Sequence, residues 1–597
     1  MTTLTADIGG TWLKLARFNS GEKSPSAASR VSNPCREGRP HHFTTDLMRG
    51  LTELLNGDHP AGLGISTAGI VNYAGTRVTA GHAYLEPLKA PDFLSTMQEA
   101  FHCPVVLIND ADAALIGAAQ AGYFHGSACH GLLALGTGCG FALWKNGQRW
   151  LPERQHLLLG SIRTPVGSYD ELCSASALAG RTAEGRLEAV FTRPQYQSLL
   201  EEYLGHLARL IDNATLIYHC ESLLLAGGLV AAALEAGFDL AAAVAPRLMP
   251  TTDYHRQPHI RVASEGNALP LLGVRALITA ESAIATVRCR PALEPLPTEA
   301  VADPELHLER CSAEELIAHC LRNENNVADH WTQQAAVLTE CAIRVSEAFL
   351  TGGRLIYIGC GTSGRLAALD ALELSCTFGL AKHQVVALIS GGAAEAAASI
   401  EEDGEEDASS VPELLLLNPG PRDVVIGISA SGSAWFVRSG LAHARNCGTF
   451  SILVSAAAPE PGFSNLHIAL DTGAELVTGS TRMKAGTATK KILNAISTSA
   501  MILCGKVAGT HMIHVACLNA KLIDRACGIL QCLHGLSREA AAELLHRHDM
   551  NLAAALQSLS PSTAPAKEPL APEVTVSVPV PASWASAVPA PALPLAL

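Results

Sequence analysis

No two cysteines of this 597-residue chain stand at C-x-x-C spacing, although there are 17 of them. That absence removes the usual zinc-ribbon and dithiol motifs. Scattered thiols, with no charged-then-apolar leader, point to a reducing cytoplasm where most cysteines serve as small core residues. No apolar run reaches the roughly 18 residues of a membrane-spanning helix, so no membrane partner is expected. Basic residues are scarce: 42 Lys and Arg against 56 Asp and Glu give a formal charge of −14. This balance argues against nucleic acid as a partner but leaves room for a local basic site for a phosphate. What is present is a composition 48% hydrophobic and 16% charged, enough for several soluble domains, each with its own core.

Residues 1–283 alternate strand-like and helix-like segments. LTADIGG, GLGISTAG, PVVLIND, GLLALGTG and LLLAGG are short apolar runs ending in Gly, Asn or Asp, the grammar of an α/β domain with function at its strand ends. A Pro-rich stretch within 284–311 reads as a linker or arm. Ser312, with Glu315 three residues on, has the spacing of a capping box. Over 312–530, RLIYIG, VVALIS, DVVIGIS and FSILVS alternate with helix-length segments, which predicts a mostly parallel sheet. Residues 531–560 read as a small helical subdomain, and 561–597, rich in Ala, Pro and Val, as a disordered tail.

After RLIYI, Gly359, Gly361 and Gly364 form a G-x-G-x-x-G. A dinucleotide site would need an acid at the end of the second strand to hold a ribose hydroxyl, but Ser390, Gly391 and Gly392 stand there. Thr362 and Ser363 offer hydroxyls suited to a terminal phosphate, with a helix N-terminus behind them. Two more Gly-flanked turns repeat the theme. ISASGS brings Ser429, Ser431 and Ser433; GSTRMKAGTATK brings Ser480, Thr481, Arg482 and Lys484. One Ser-rich turn is ordinarily a bend or a cap. Three of them predict a sugar-phosphate pocket.

These blocks, together with GKVAGTHM, resemble the N-acetylmuramic acid 6-phosphate etherases, a sugar-isomerase-domain (SIS) family, over about 298–559. The resemblance implies removal of D-lactate from the sugar C3 to leave N-acetylglucosamine 6-phosphate, without a metal or other cofactor. Such chemistry takes a proton from C2 and delivers one to the leaving oxygen. By resemblance, Glu373 protonates that oxygen and then activates water. The family's second carboxylate falls in SIEEDGEED (399–407). Counting without gaps puts Gly404 there, and a small shift puts Glu405 or Glu406 there, with Glu405 taken as the second catalytic acid. LSC after Glu373 and SGSAWF after Ala430 also depart from the family's C-P-P and S-G-R-T-P-Y. If one helix runs from Ser363 to Glu373, its rise separates them by about 15 Å, more than a hexose C3 lies from its 6-phosphate. Either Glu373 serves the phosphate turns of a second copy, in a homodimer of the kind common among SIS proteins, or the helix stops early.

In the first half, Asp7, Gly9, Gly10 and Thr11 (ADIGGT), Gly136, Thr137 and Gly138 (GTGCG), and Gly227 and Gly228 (AGG) make two glycine hairpins and a third glycine pair. With IND at 108–110, in that order, they resemble the ROK and bacterial glucokinase-type sugar kinases of the actin/hexokinase ATPase fold. The resemblance implies ATP and Mg²⁺ as cofactors. The two turns would face the nucleotide phosphates, Gly227 and Gly228 the adenosine, and Asp7 would orient Mg²⁺ through water. Asp110 would be the base on the sugar 6-hydroxyl and Asn109 would bind neighbouring hydroxyls. Asp110 could also cap the helix that begins ADAALIGAA. HLLLGSIRTPVGSYDELCSASAL replaces the Cys-rich zinc segment of many ROK kinases and keeps only Cys173, so no structural zinc is expected. Glu171 corresponds loosely to a sugar-binding acid.

The expected architecture is α/β and multidomain: an actin/hexokinase-like ATPase fold, then a SIS-type doubly wound parallel sheet. The expected function is bifunctional amino-sugar salvage: 6-phosphorylation of N-acetylmuramic acid or N-acetylglucosamine, and cleavage of the lactyl ether. The alternative is a kinase carrying a non-catalytic SIS sensor of sugar phosphates, since the glucokinase regulatory protein resembles the same family and Gly404 interrupts the acidic motif.

Overall fold

Two five-stranded sheets built to one plan make up the first half of the chain. The computed structural model describes residues 2–559 except for 23, 73, 125–128, 146–147, 151–155, 253–255, 285–296, 326–333, 382, 393–407, 457–461 and 518. The first sheet holds β1 (Thr2–Ile8), β2 (Trp12–Phe18), β3 (Ala27–Ser32), β4 (Pro60–Thr67) and β5 (Val105–Asn109), in the order β3-β2-β1-β4-β5. The second holds β6 (His130–Leu135), β7 (Cys139–Lys145), β8 (Gln148–Arg149), β9 (Ser222–Ala226) and β10 (His259–Val262), in the order β8-β7-β6-β9-β10. In each, the first three strands pair antiparallel and the last two run parallel to the first. Each sheet therefore opens on a hairpin, and the hairpin turns are the two glycine motifs, Gly9–Thr11 and Gly136–Gly138. Helices α1 (Asp110–Gln120) and α2 (Leu269–Ala283) cross at close range. A Cβ on Gly273 would lie 1.8 Å from the Ala113 carbonyl oxygen, and one on Gly117 would lie 2.3 Å from that of Leu269. Glycine lowers helix propensity but lets these two backbones touch.

The third sheet contains β11 (Leu355–Gly359), β12 (Val385–Ile389), β13 (Val424–Ile428), β14 (Phe450–Ser455) and β15 (Leu466–Ala469), all parallel, in the order β12-β11-β13-β14-β15. Its strands are continuous apolar runs because both faces are covered. The four strands expected from the sequence are present, and β15, only four residues of LHIA, joins them. The covering helices are α3 (Ala335–Leu350), α4 (Gly361–Phe378), α5 (Val411–Leu417), α6 (Trp435–Asn446) and α7 (Lys484–Leu503). Helices α3, α4 and α7 close one core around Val345, Leu374, Ile426 and Ile492. Helices α5 and α6 cover the other face and also pack against α1 and α2. One apolar core thus runs from Leu115 and Val274 through Leu414 and Trp435 to Ile356 and Val425. The halves share this core, and Met1–Met512 forms a single compact unit.

The second unit spans Ile513–Leu597. Its described part contains α8 (Ala520–His534), α9 (Arg538–Arg547) and α10 (Leu552–Leu559), which bury Ala526, Leu530, Leu545 and Leu552 against one another. The boundary expected after 530 falls inside α8, which packs with the helical pair; the tail expected at 561–597 lies outside the described residues. Among the described residues no single helix is long and apolar enough to cross a membrane.

Candidate active sites

The first site is built where the two glycine hairpins meet. A Cβ on Gly10 would lie 3.2 Å from the Tyr84 ring and 3.3 Å from Cγ2 of Thr137, so the two turns face each other at van der Waals range. The Gly9 N–H donates to Trp12 O (3.0 Å), and the Asn33 amide donates to Gly9 O (2.9 Å). Arg36 donates to the Thr11 hydroxyl. Asp7, at the end of β1, accepts from Lys14 Nζ at 2.8 Å and from Ser66 Oγ at 2.9 Å. At the end of β9, Gly227 has φ +101°, and a Cβ there would sit 2.7 Å from the Leu135 carbonyl oxygen.

Asp110 occupies the first turn of α1, but it does not cap the helix. Asn109 does: its side-chain oxygen accepts from the N–H groups of Ala111 (2.9 Å) and Asp112 (3.3 Å), while its amide donates to Gly69 O at 3.0 Å. The side chain expected to bind sugar hydroxyls is therefore engaged in holding the turn. Asp110 is left half-buried and, among the described residues, accepts from Ala111 N at 2.8 Å. Burial, then the neighbouring Asp7 carboxylate, push its carboxyl up to about 6, a value suited to a base near neutral pH. Burial and the Asp110, Asp7 and Asp170 carboxylates push the Tyr84 hydroxyl up to about 12. These four groups converge on one place.

Asp170 was not foreseen, and Glu171 requires a correction. Glu171 accepts from Ser168 N at 2.7 Å and closes a capping box with Ser168 at the start of Tyr169–Cys173. Asp170 instead faces the second hairpin, accepting from Cys139 N at 2.7 Å and lying 3.0 Å from where a Cβ on Gly138 would stand. The S-x-x-E spacing of Ser168 and Glu171 was a readable sign that Glu171 is structural. For nucleotide, the glycine turns fit, since side chains at Gly10 or Gly138 would crowd the space between the hairpins. No group of three or more His, Cys, Asp or Glu side chains placed to hold a metal ion occurs among the described residues.

The second site lies where the order of the third sheet reverses, between β11 and β13, the place where ligands meet such sheets. Gly359 and Gly364 are needed for closeness: a Cβ on Gly359 would lie 2.7 Å from Gly364 N, and one on Gly364 would lie 2.8 Å from Gly359 O. Thr362 and Ser363 sit half-buried in the first turn of α4, which no side chain caps. At the end of β13, Ser431 Oγ lies 3.5 Å from Ser429 Oγ and 2.6 Å from Ser433 Oγ. The third turn joins at the start of α7: a Cβ on Gly486 would lie 3.9 Å from Cγ2 of Thr362, and Gly486 N donates to Thr481 O. The buried Glu475 carboxylate, unforeseen, caps α7 by accepting from Lys484 N and Ala485 N, both at 3.0 Å. Lys484 itself is 4% exposed. Ser480 bonds through its backbone to Val477 O. The expected linker contributes as well: Thr298 O accepts from Gly479 N at 3.1 Å, and Glu299 lies against Gly479.

Glu373 is elsewhere. Helix α4 is unbroken from Gly361 to Phe378, so the early stop does not occur and Glu373 stands about 15 Å along the axis from Ser363. Its side chain is 58% exposed, 3.3 Å from Lys490 Nζ. Lys490 also lies 3.7 Å from buried Asp370, which accepts from Tyr357 Oη at 2.8 Å. Glu405 and Gly404 lie outside the described residues.

Comparison with known proteins divides the chain in the same way. A model described as "ROK family" matches residues 3–154, and one described as "Glucokinase regulatory protein N-terminal SIS domain" matches residues 337–445. The N-acetylmuramic acid 6-phosphate etherase of Clostridium botulinum (strain Hall) is 38% identical over 258 residues, 42% of this chain and 84% of that protein. The Bacillus cereus protein of the same name is 39% identical over 272 residues, 44% of this chain and 90% of that protein. Among solved structures, a ROK family glucokinase from Streptomyces griseus, in complex with glucose and AMPPNP, is 17% identical with a TM-score of 0.40, covering 47% of this chain and 99% of that one. A ROK hexokinase from Thermus thermophilus is 21% identical with a TM-score of 0.33, covering 46% and 97%.

Proposed function

This chain belongs, through its C-terminal half, to the N-acetylmuramic acid 6-phosphate etherase family and carries a ROK-family kinase domain ahead of it, and we propose that it is a bifunctional enzyme of amino-sugar salvage. The kinase transfers the γ-phosphoryl group of ATP to O6 of N-acetylmuramic acid or N-acetylglucosamine. Asp110 takes the hydroxyl proton as O6 attacks phosphorus, its raised proton affinity matching that task. The glycine turns leave room for the nucleotide phosphates, and Asp170 and Tyr84 line the same space as Asp110.

The etherase half removes the lactyl group. The ring opens, the C2 proton leaves, the C3–O bond breaks to release D-lactate, and water adds at C3, giving N-acetylglucosamine 6-phosphate. The phosphate rests among Thr362, Ser363, Ser429, Ser431, Ser480 and Thr481, where Lys484 supplies positive charge. Glu373 gives a proton to the leaving oxygen and takes one from water, with Glu405 as its partner at C2. Because Glu373 projects from α4 well away from the turns of its own chain, the complete site uses a second copy. Leu369 and Leu372, 42% and 69% exposed beside Glu373, offer that copy an apolar face. A cytoplasmic setting suits the use of ATP.

The meeting of three hydroxyl-bearing turns where the third sheet reverses carries this reading, since glycines there let the backbone approach an anion and Lys484 stands among the hydroxyls. The test is incubation of the chain with ATP and N-acetylmuramic acid, following D-lactate and N-acetylglucosamine 6-phosphate by mass spectrometry. A second reading has one observation in its favour, the match of 337–445 to the glucokinase regulatory protein model. On that reading the C-terminal half senses sugar phosphate. No lactate from N-acetylmuramic acid 6-phosphate, together with a phosphorylation rate that changes when that compound is added, would establish it.

A further inference from the structure

The kinase base helix is held at both ends by the other half of the chain. Near its start, Asp112 Oδ2 accepts from Arg149 Nη1 at 2.9 Å and lies 3.2 Å from His156 Nδ1. Arg149 reaches on with Nη2 to Glu413 Oε1 of α5, 3.1 Å away. The side chains of Asp112, Arg149, Glu413 and His156 are all at most 9% exposed. At the far end of α1, Gln120 Nε2 donates to Leu415 O, also of α5, at 2.8 Å.

A buried network of this kind adds little stability compared with apolar packing of the same volume, so its presence asks for another reason. Asp112 is two residues from Asp110, in the same helical turn. From inside, Asn109 fixes the N–H groups of that turn; from outside, the Arg149 guanidinium fixes its carboxylate. A guanidinium is a planar fork, and holding one arm on Glu413 orients the other on Asp112. We propose that Glu413, a residue of the etherase half, is a positioning residue of the kinase site, acting through Arg149 and Asp112 on the placement of Asp110. This rests on the kinase reading above. The second carboxylate oxygen of Glu413 has no hydrogen-bond partner among the described residues, which fits a side chain kept for its aim at Arg149. The consequence is that the N-terminal half reaches full activity only with α5 seated against it.

The experiment uses the full-length chain with E413Q, R149M and the double variant. Sugar phosphorylation is resolved into kcat and KM, lactate release from N-acetylmuramic acid 6-phosphate is measured on the same samples, and melting is followed for each. Misplacement of a base by a fraction of an ångström is expected to lower phosphorylation kcat about 10-fold in E413Q and about 100-fold in R149M, with KM for sugar and ATP within about twofold of wild type. Lactate release in E413Q should match wild type, and the double variant should be no worse than R149M, because the two act as one unit. The proposal is overturned if E413Q phosphorylates at the wild-type rate, if it loses both activities together with its melting temperature, or if the two substitutions multiply. Should R149M fail to fold, the isosteric E413Q still decides by its kcat and lactate release. A wild-type chain with no sugar-dependent ADP formation would sink the kinase reading itself, an outcome distinct from a wild-type chain that phosphorylates and an E413Q that equals it.

Discussion

Asp110 and Glu373 are both carboxylates nominated for proton transfer, and they sit in opposite surroundings. Asp110 lies half-buried where two sheets of one chain bring their glycine hairpins together, and burial with a like-charged neighbour raises its proton affinity. Glu373 stands in solvent on the side of α4, with Lys490 beside it and exposed leucines around it. The first acid is finished by intramolecular folding. The second is exposed in the single chain, and the turns proposed to hold the phosphate lie at the far end of the helix that carries it. An elimination site must exclude water before its acid becomes effective, and for Glu373 a second copy would supply that wall.

The largest effects come from removing each acid. Asp110→Asn should lower sugar phosphorylation by about 10²–10⁴-fold and leave lactate release intact; Glu373→Gln should do the reverse. Loss of both activities in either variant would break the separation. Next, mixing Glu373→Gln chains with Lys484→Met chains, each inactive in lactate release, should restore measurable lactate formation after subunit exchange; no recovery would place Glu373 and the phosphate turns in one chain's site. The pH dependence sharpens the contrast further. Phosphorylation kcat/KM should fall as pH drops through about 6, when Asp110 takes up its proton. The stability effect has the opposite sense: a proton bound more tightly in the folded chain stabilises it below about pH 4, and this contribution is lost as pH rises through about 6. Asp110→Asn should therefore raise Tm near neutral pH and not in acid, measured by calorimetry at both. Smallest is a packing change. Gly273→Ala, forcing a methyl against Ala113 O, should cost about 1–3 kcal/mol in denaturant unfolding. It should reduce phosphorylation more than lactate release, because α2 supports the helix of Asp110.

Much of this was legible from residue types alone. Short apolar runs ending in glycine named the strands on which both sites are built, and the two hairpin motifs did prove to face one another. The glycines of the G-x-G-x-x-G at 359–364 serve strand–helix closeness, as a motif joining a strand to a helix leads one to expect. Other residues needed the backbone before their surroundings could be assigned. Asn109 and Asp110 are adjacent and both suit a helix start, and only the backbone shows that Asn109 takes the cap. Glu171 and Asp170 are likewise adjacent, and one residue of difference turns the side chain from its own helix toward Gly138. Glu475 carried no motif at all; it became visible when the N–H groups at the start of α7 were found with a carboxylate on them.

What the sequence determined by itself was the list of parts: glycines where backbones must approach, turns rich in hydroxyls with a lysine beside them, and the acids nominated for proton transfer. Spacing along a chain can specify these because turns and helix starts are local. The joining of the two halves was decided only in three dimensions. Arg149 and Glu413 are 264 residues apart, and no periodicity or motif links them. They meet because the uncovered face of a parallel sheet must be buried, and the helices that cover it here are shared with the kinase half. That shared burial, driven by apolar area with no directional preference, is what lets an acid in one domain hold a helix in the other.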